Sequence, residues 1–249
     1  MASKTGSMTR PMWIVLGVTA ALLVALAVLW GFYFSQLGSR FDGTELNPPN
    51  NETDFTLHDQ TGAEFQLSST RGKVVILAFI YTHCTDVCPF VAAKLRRANE
   101  LLGSDASKVA IVAVTTDPGR DTQAVAAAYS RQFGLYDTWH FVVGTQAQLQ
   151  PIWQAYYVGS EIDQGVPGHH DEPPQPLPKA TMQAMGLDNG LTASDVATAQ
   201  QAISLFGGGY HVTHSTPIWL IDPSGQVRVL LRQSASPSEI VHDVRLLLP

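Results

Sequence analysis

Apolar positions along this chain fall into distinct patterns, and each predicts an element. Residues 12–34 hold no charged side chain and close on Trp30, Phe32, Tyr33 and Phe34; a run of that length can cross a bilayer as one helix. Near-continuous apolar runs at 73–81 and 109–115 predict strands buried on both faces. Helices are expected over 89–102, where an apolar stripe recurs, over 121–133 with Asp121 as N-cap, and over 146–156 and 237–248. Shorter strands fit 139–143, 217–221 and 227–231, the last two joined by Asp222-Pro223-Ser224-Gly225, a type I turn composition. Segments 54–57 and 64–67 read as a small hairpin. The Gly-, Pro- and Asn-rich stretch 41–51 reads as a flexible linker.

In order, these elements give ββ-β-α-β-α-β-α, an insertion, then β-β-α. That is an α/β layered domain with a thioredoxin-like order and a central mixed sheet, preceded by one transmembrane helix. The expected organisation is a cytoplasmic head at 1–11, an anchor at 12–34, a linker at 35–52 and one domain over 53–249. An insertion at about 160–209 interrupts the domain; it contains Gly168-His169-His170-Asp171-Glu172-Pro173-Pro174 and a helix over 192–205. Loops of that length are functional or disordered more often than not.

Charge narrows the function. A net charge of −6 and a pI near 5.7, with no basic stripe, argue against nucleic-acid binding, which clustered Lys and Arg drive. Lys4 and Arg10 precede the apolar span and place the chain beyond Phe34 across the membrane. The expectation is a single-pass inner-membrane protein with its C-terminal domain on the periplasmic side. A cleavable signal peptide fits less well, because Ala25-Leu26-Ala27 lies in the middle of the apolar run.

The chain has two cysteines, Cys84 and Cys88, placed where the run 74–80 ends and a helix is expected. On a helix, positions four apart share a face, close enough to hold one ion or to join as a disulfide. A helix start also favours thiolate over thiol. Far downstream, His211-Val212-Thr213-His214-Ser215 precedes another apolar run and offers an imidazole at a strand boundary. Ligands of open α/β sheets bind beyond the carboxyl ends of the strands, and Cys84 comes directly after one such end. His214 reaches that edge if the strand after it runs antiparallel to the first. Two thiols and a remote histidine suggest a soft-metal or redox site.

These residues carry a resemblance to the Sco (SenC) copper chaperones, membrane-tethered thioredoxin-fold proteins that help to build cytochrome c oxidase. The matching pieces are Gly72-Lys73-Val74-Val75, Tyr81-Thr82-His83-Cys84 through Asp86-Val87-Cys88-Pro89, Thr116-Asp117-Pro118 with Arg120-Asp121-Thr122, and 212–215 with 220–225 after it. The resemblance implies that Cys84, Cys88 and His214 ligate copper, as Cu(I) or Cu(II). It also implies delivery to the binuclear copper site of oxidase subunit II, with a periplasmic copper donor or thiol reductant as further partners. Thr85 stands where the family commonly has proline, and Thr213 where it commonly has an acidic residue. Soft thiolates with imidazole suit copper, whereas a structural zinc site would close four ligands.

The competing function is thiol–disulfide exchange, with Cys84 and Cys88 as a redox-active pair. Thioredoxin-type enzymes use C-x-x-C, one residue shorter than the spacing here, and do not need His214. Of the other histidines, His83 reads as a loop residue shaping the site and His211 as a strand-end residue. His169 and His170 read as part of a solvated segment.

Overall fold

The structure, a computed structural model, describes residues 10–37, 41–163, 175–208, 211–214 and 216–249. It divides into two units, 1–40 and 41–249. In the first, helix α1 (Arg10–Leu37) contains the window Trp13–Gly31, 19 residues of mean hydropathy 2.5 with none of it buried inside the protein. It is long and apolar enough to cross a membrane.

The second unit is built on a six-stranded mixed sheet in the order β1-β10-β9-β4-β5-β6. Its centre is β4 (Val74–Ile80) and β5 (Val109–Thr115), parallel and buried at every position. Side chains alternate across the sheet. Val74, Ile76, Ala78 and Ile80 therefore join one core, and Val75, Leu77 and Phe79 join the other. The first core packs under α2 (Val87–Leu102), α3 (Gln123–Gln132) and α7 (Pro237–Leu247); the second is closed by α4 (Gln146–Ala155) and by the β2–β3 hairpin (Thr56–His58, Glu64–Gln66). Strand β6 (His140–Val142) extends the parallel side, while β9 (Ile218–Ile221) runs antiparallel to β4, and β10 (Gln226–Leu231) antiparallel to β9.

Three expectations need correction. The stretch expected to be a flexible linker supplies β1 (Thr44–Asn51), the edge strand, antiparallel to β10 with a register shift between Glu45 and Asn50. The buried Asp243 of α7 fixes its entry, accepting the Asp42 and Gly43 N–H groups at 2.7 and 2.8 Å. Gly43 is needed there, because a Cβ would lie 2.5 Å from Val229 Cγ1 and 2.9 Å from the Leu230 carbonyl oxygen. Second, Thr122, not Asp121, caps α3.

Third, the described part of the insertion packs into the core instead of forming a loop, with the helix expected over 192–205 present. Helices α5 (Lys179–Ala184) and α6 (Ala193–Phe206) send Met182, Ala199, Ala202 and Ile203 into the core cluster of α2. The buried Asp195 pairs with Arg96 of α2. The insertion opens and closes on its own ribbon, β7 (Ser160–Asp163) antiparallel to β8 (His211–His214). The His169-His170 segment lies outside the described residues.

Candidate metal centre

The chain leaves β4 at Ile80 and reaches α2 at Val87, so both cysteines sit at the carboxyl edge of the sheet. The helix begins later than a shared helical face would require. Cys84 lies in the turn before it and Cys88 in its first turn. What joins them is a capping arrangement: Cys84 Sγ accepts the Cys88 N–H at 3.4 Å, satisfying one of the unpaired donors of a helix start. The Asp86 carboxylate caps Val87 and accepts from the Cys84 thiol at 2.7 Å. Pro89, in the first turn, costs no intrahelical hydrogen bond.

Both cysteines are thiols rather than halves of a disulfide, and their exposures are 1 % and 0 %. Burial pushes the Cys88 thiol well up, and neighbouring Cys84 adds to the shift. This overturns the expectation of a thiolate at Cys88, because a helix start contributes a fraction of a charge while complete desolvation penalises a whole one. A proton must therefore leave before Cys88 can ligate, so a soft cation and the proton compete for that sulfur.

Asp121, expected as a cap, instead pins the loop. Its buried carboxylate accepts from the Thr82 N–H (3.2 Å), the Thr82 hydroxyl (2.5 Å) and the Thr115 hydroxyl (2.6 Å), joining the ends of β4 and β5. The Thr82 hydroxyl spends its one proton on Asp121, so at 2.8 Å it accepts from His83 Nδ1. His83 is thereby tied into the loop through Nδ1. No pattern in one sequence marks Asp121 for this role, since an Asp before a helix reads as a cap.

Strand β9 runs antiparallel to β4, pairing Ile218 with Ala78, so it starts at the edge where β4 ends. The condition for bringing the histidine segment to the cysteine edge is met in the backbone. His214 stands in β8 opposite Ser160, whose hydroxyl donates to the Thr116 carbonyl after β5 at 2.8 Å. Two residues earlier, the Val212 N–H donates to the Tyr81 phenol oxygen at 3.4 Å. The side chains of His214, His211 and Thr213 lie outside the described ones. Among the described residues, one further group of ligand atoms lies within 4.8 Å, from Asp42, His242 and Asp243. There both Asp243 oxygens already hold the entry of β1.

A family model described as SCO1/SenC matches residues 43–172, which include both cysteines and stop before His214. The SCO1 protein homolog of Bacillus subtilis is 26 % identical over 143 residues, 56 % of this chain and 68 % of the relative. The SCO2-like protein of Rickettsia felis is 29 % identical over 105 residues, 42 % of this chain, and the chain spans 50 % of its length. Among solved structures, apo Sco1 from Thermus thermophilus aligns with a TM-score of 0.60 at 24 % identity, covering 85 % of this chain and 99 % of that one. ScoI of Bradyrhizobium japonicum, solved with copper bound, gives 0.57 at 23 % identity, covering 80 % and 99 %. BsSco, described as a member of the Sco family of cytochrome c oxidase assembly proteins and carrying a disulfide switch, gives 0.53 at 18 % identity, covering 83 % and 96 %. At these identities the structural likeness is one of fold.

Proposed function

This chain belongs to the SCO1/SenC family, and we propose that it is a membrane-tethered copper carrier. In this reading Cys84, Cys88 and His214 hold one copper ion and pass it to the binuclear copper site of cytochrome c oxidase subunit II. Helix α1 anchors it as a single span, with residues 1–11 cytosolic and the domain on the periplasmic side. Relatives support the class of function: ScoI binds copper, and BsSco belongs to a family of oxidase assembly proteins. The observation that carries the reading is a pair of buried thiols where β4 ends, with β9 starting at the same edge.

The donor set suits a cargo ion. Thiolates are soft and select Cu(I), while imidazole serves either oxidation state. Three donors leave a coordination position through which an acceptor's ligand can enter, so transfer proceeds by ligand exchange. Burial raises the pKa of the Cys88 thiol, so binding of the ion at that sulfur is coupled to proton release.

Thiol–disulfide exchange has one observation in its favour, the side-chain hydrogen bond between the two cysteine thiols. Cys84 would attack a partner disulfide, releasing one partner thiol. Cys88 would then displace the second, leaving a Cys84–Cys88 disulfide and a reduced partner.

Anaerobic copper titration of the reduced full chain in detergent separates the two. The carrier takes up close to one copper per chain, and His214→Ala weakens Cu(II) retention while sparing disulfide formation. Absence of copper uptake by the wild type would leave the redox function, and unchanged Cu(II) retention in the variant would remove His214 from the site.

A further inference from the structure

Among the described residues, strand β8 pairs with β7 alone, in a two-stranded ribbon separate from the six-stranded sheet. Such a ribbon is marginal on its own, so ties to the rest of the domain must set its position. Ser160 supplies one through the Thr116 carbonyl, and the buried Val212 side chain supplies an apolar one in the core cluster. Two further ties converge on residues that the copper reading does not use.

Tyr81 directly follows β4 and opens the loop that carries the cysteines, and its ring is buried. Its phenol oxygen accepts the Val212 N–H of β8 at 3.4 Å. Arg120 lies over the same ring, 5.7 Å from its centroid. The guanidinium donates through Nη1 to the Gly208 carbonyl at 2.8 Å, just before β8, and through Nε to Asp117 after β5. One aromatic and one cation thus touch the end of β4, the β5–α3 loop and the approach to β8 together.

We propose that Tyr81 and Arg120 form a clasp that fixes β8, and with it His214, against the cysteine loop. They are positioning residues for metal retention and touch no metal themselves. The metal consequence rests on the copper reading; the clasp does not. Two thiolates satisfy Cu(I), whereas Cu(II) depends more on nitrogen donors. Loss of the clasp therefore falls selectively on Cu(II), through His214.

Two arms test this on the full chain in detergent. In the first, peptides covering β8 are followed by hydrogen exchange in the copper-free protein. Tyr81→Phe keeps the aromatic ring and removes the phenol group that accepts the Val212 N–H, while Arg120→Met removes the guanidinium with its ties to Gly208 and Asp117. Both are expected to speed exchange across 208–214 and leave β4 and β5 unchanged. Unchanged exchange at β8 in both variants would refute the clasp, whether or not the protein binds copper.

In the second arm, chelator competition gives Cu(I) and Cu(II) affinities for the wild type, Tyr81→Phe, His214→Ala and the double variant. Tyr81→Phe is expected to weaken Cu(II) roughly fivefold, the equivalent of one hydrogen bond of about 1 kcal/mol. Cu(I) affinity stays within about twofold, and the change adds nothing once His214 is gone, the signature of two residues acting through one contact. Equal losses for both ions, or losses that multiply in the double variant, would overturn the positioning role. A wild type that binds neither ion sinks the copper reading instead, and the exchange arm still decides the clasp.

Discussion

The loop carrying Cys84 and Cys88 leaves a strand buried on both faces and enters a helix whose first turn is itself core, whereas β8 emerges from the insertion and pairs with one neighbour. Apolar burial on both sides and the Asp121 network hold the first arm. The second is held by one buried side chain, Val212, and by a few polar ties, each about 1 kcal/mol net. A fold that must keep two sulfurs together yet let an ion in and out can anchor one arm deep in its core and the other through a single core side chain and contacts that yield separately. The two arms are therefore separable by mutation, and the expected effects descend in size.

Asp121→Asn should be the most damaging. The carboxylate accepts from two hydroxyls and one N–H in full burial, and an amide turns donors toward donors. We expect a loss of about 4 kcal/mol in unfolding free energy by denaturant titration. Cu(I) and Cu(II) affinities should fall together, because the whole cysteine loop shifts. Stability within about 1 kcal/mol of wild type would mean that core burial alone fixes this arm, with the polar network adding nothing to it.

Ile203→Ala tests whether the insertion is scaffold. Ile203 is fully buried among α2 and α6 residues, and truncating such a side chain costs about 3 kcal/mol when the cavity stays open. The expected result is that loss, with copper affinity nearly intact, since α6 packs chiefly on α2 and α3. A large fall in copper binding at modest loss of stability would instead tie α6 directly to the histidine arm.

Periodicity exposes what burial dictates. Strands β4 and β5 read as continuous apolar runs because both faces of the sheet are covered, and α2 reads from its stripe. The cysteine spacing and the antiparallel condition on β9 are legible for the same reason: both depend on where strands end. Strand β1 is not legible. Thr-Glu-Leu-Asn-Pro-Pro-Asn-Asn is exposed at most positions, so backbone pairing and the remote Asp243 make it a strand, and neither leaves a pattern. Asp121 is ambiguous in sequence because capping and loop-pinning ask for the same side chain at nearly the same place. The state of the thiols is hidden too, since a helix start is visible along the chain while the burial that outweighs it arises only from tertiary packing.

The smallest effect concerns Lys94, which joins the scaffolds of the two arms. It lies on α2, fully buried, and donates to the Gly186 carbonyl of the insertion and the Gln233 carbonyl, each at 2.9 Å. Burial lowers its pKa from 10.5 to about 8, against the opposing pull of Glu239 and Asp188. Above about pH 8 the folded chain has released a proton that the unfolded chain keeps until about 10.5, so this group adds stability as pH rises through that window. Cys88 acts the other way, because its raised pKa leaves the folded state holding a proton that the unfolded thiol sheds near 8.5. Wild-type stability alone therefore cannot isolate the lysine, but its difference from Lys94→Met can. That difference should grow in favour of wild type by about 0.7 kcal/mol between pH 7.5 and 8.5 and continue to grow toward pH 10. A flat difference across that range would mean that Lys94 keeps its charge in the fold, with its two carbonyls solvating an ammonium rather than accepting from an amine.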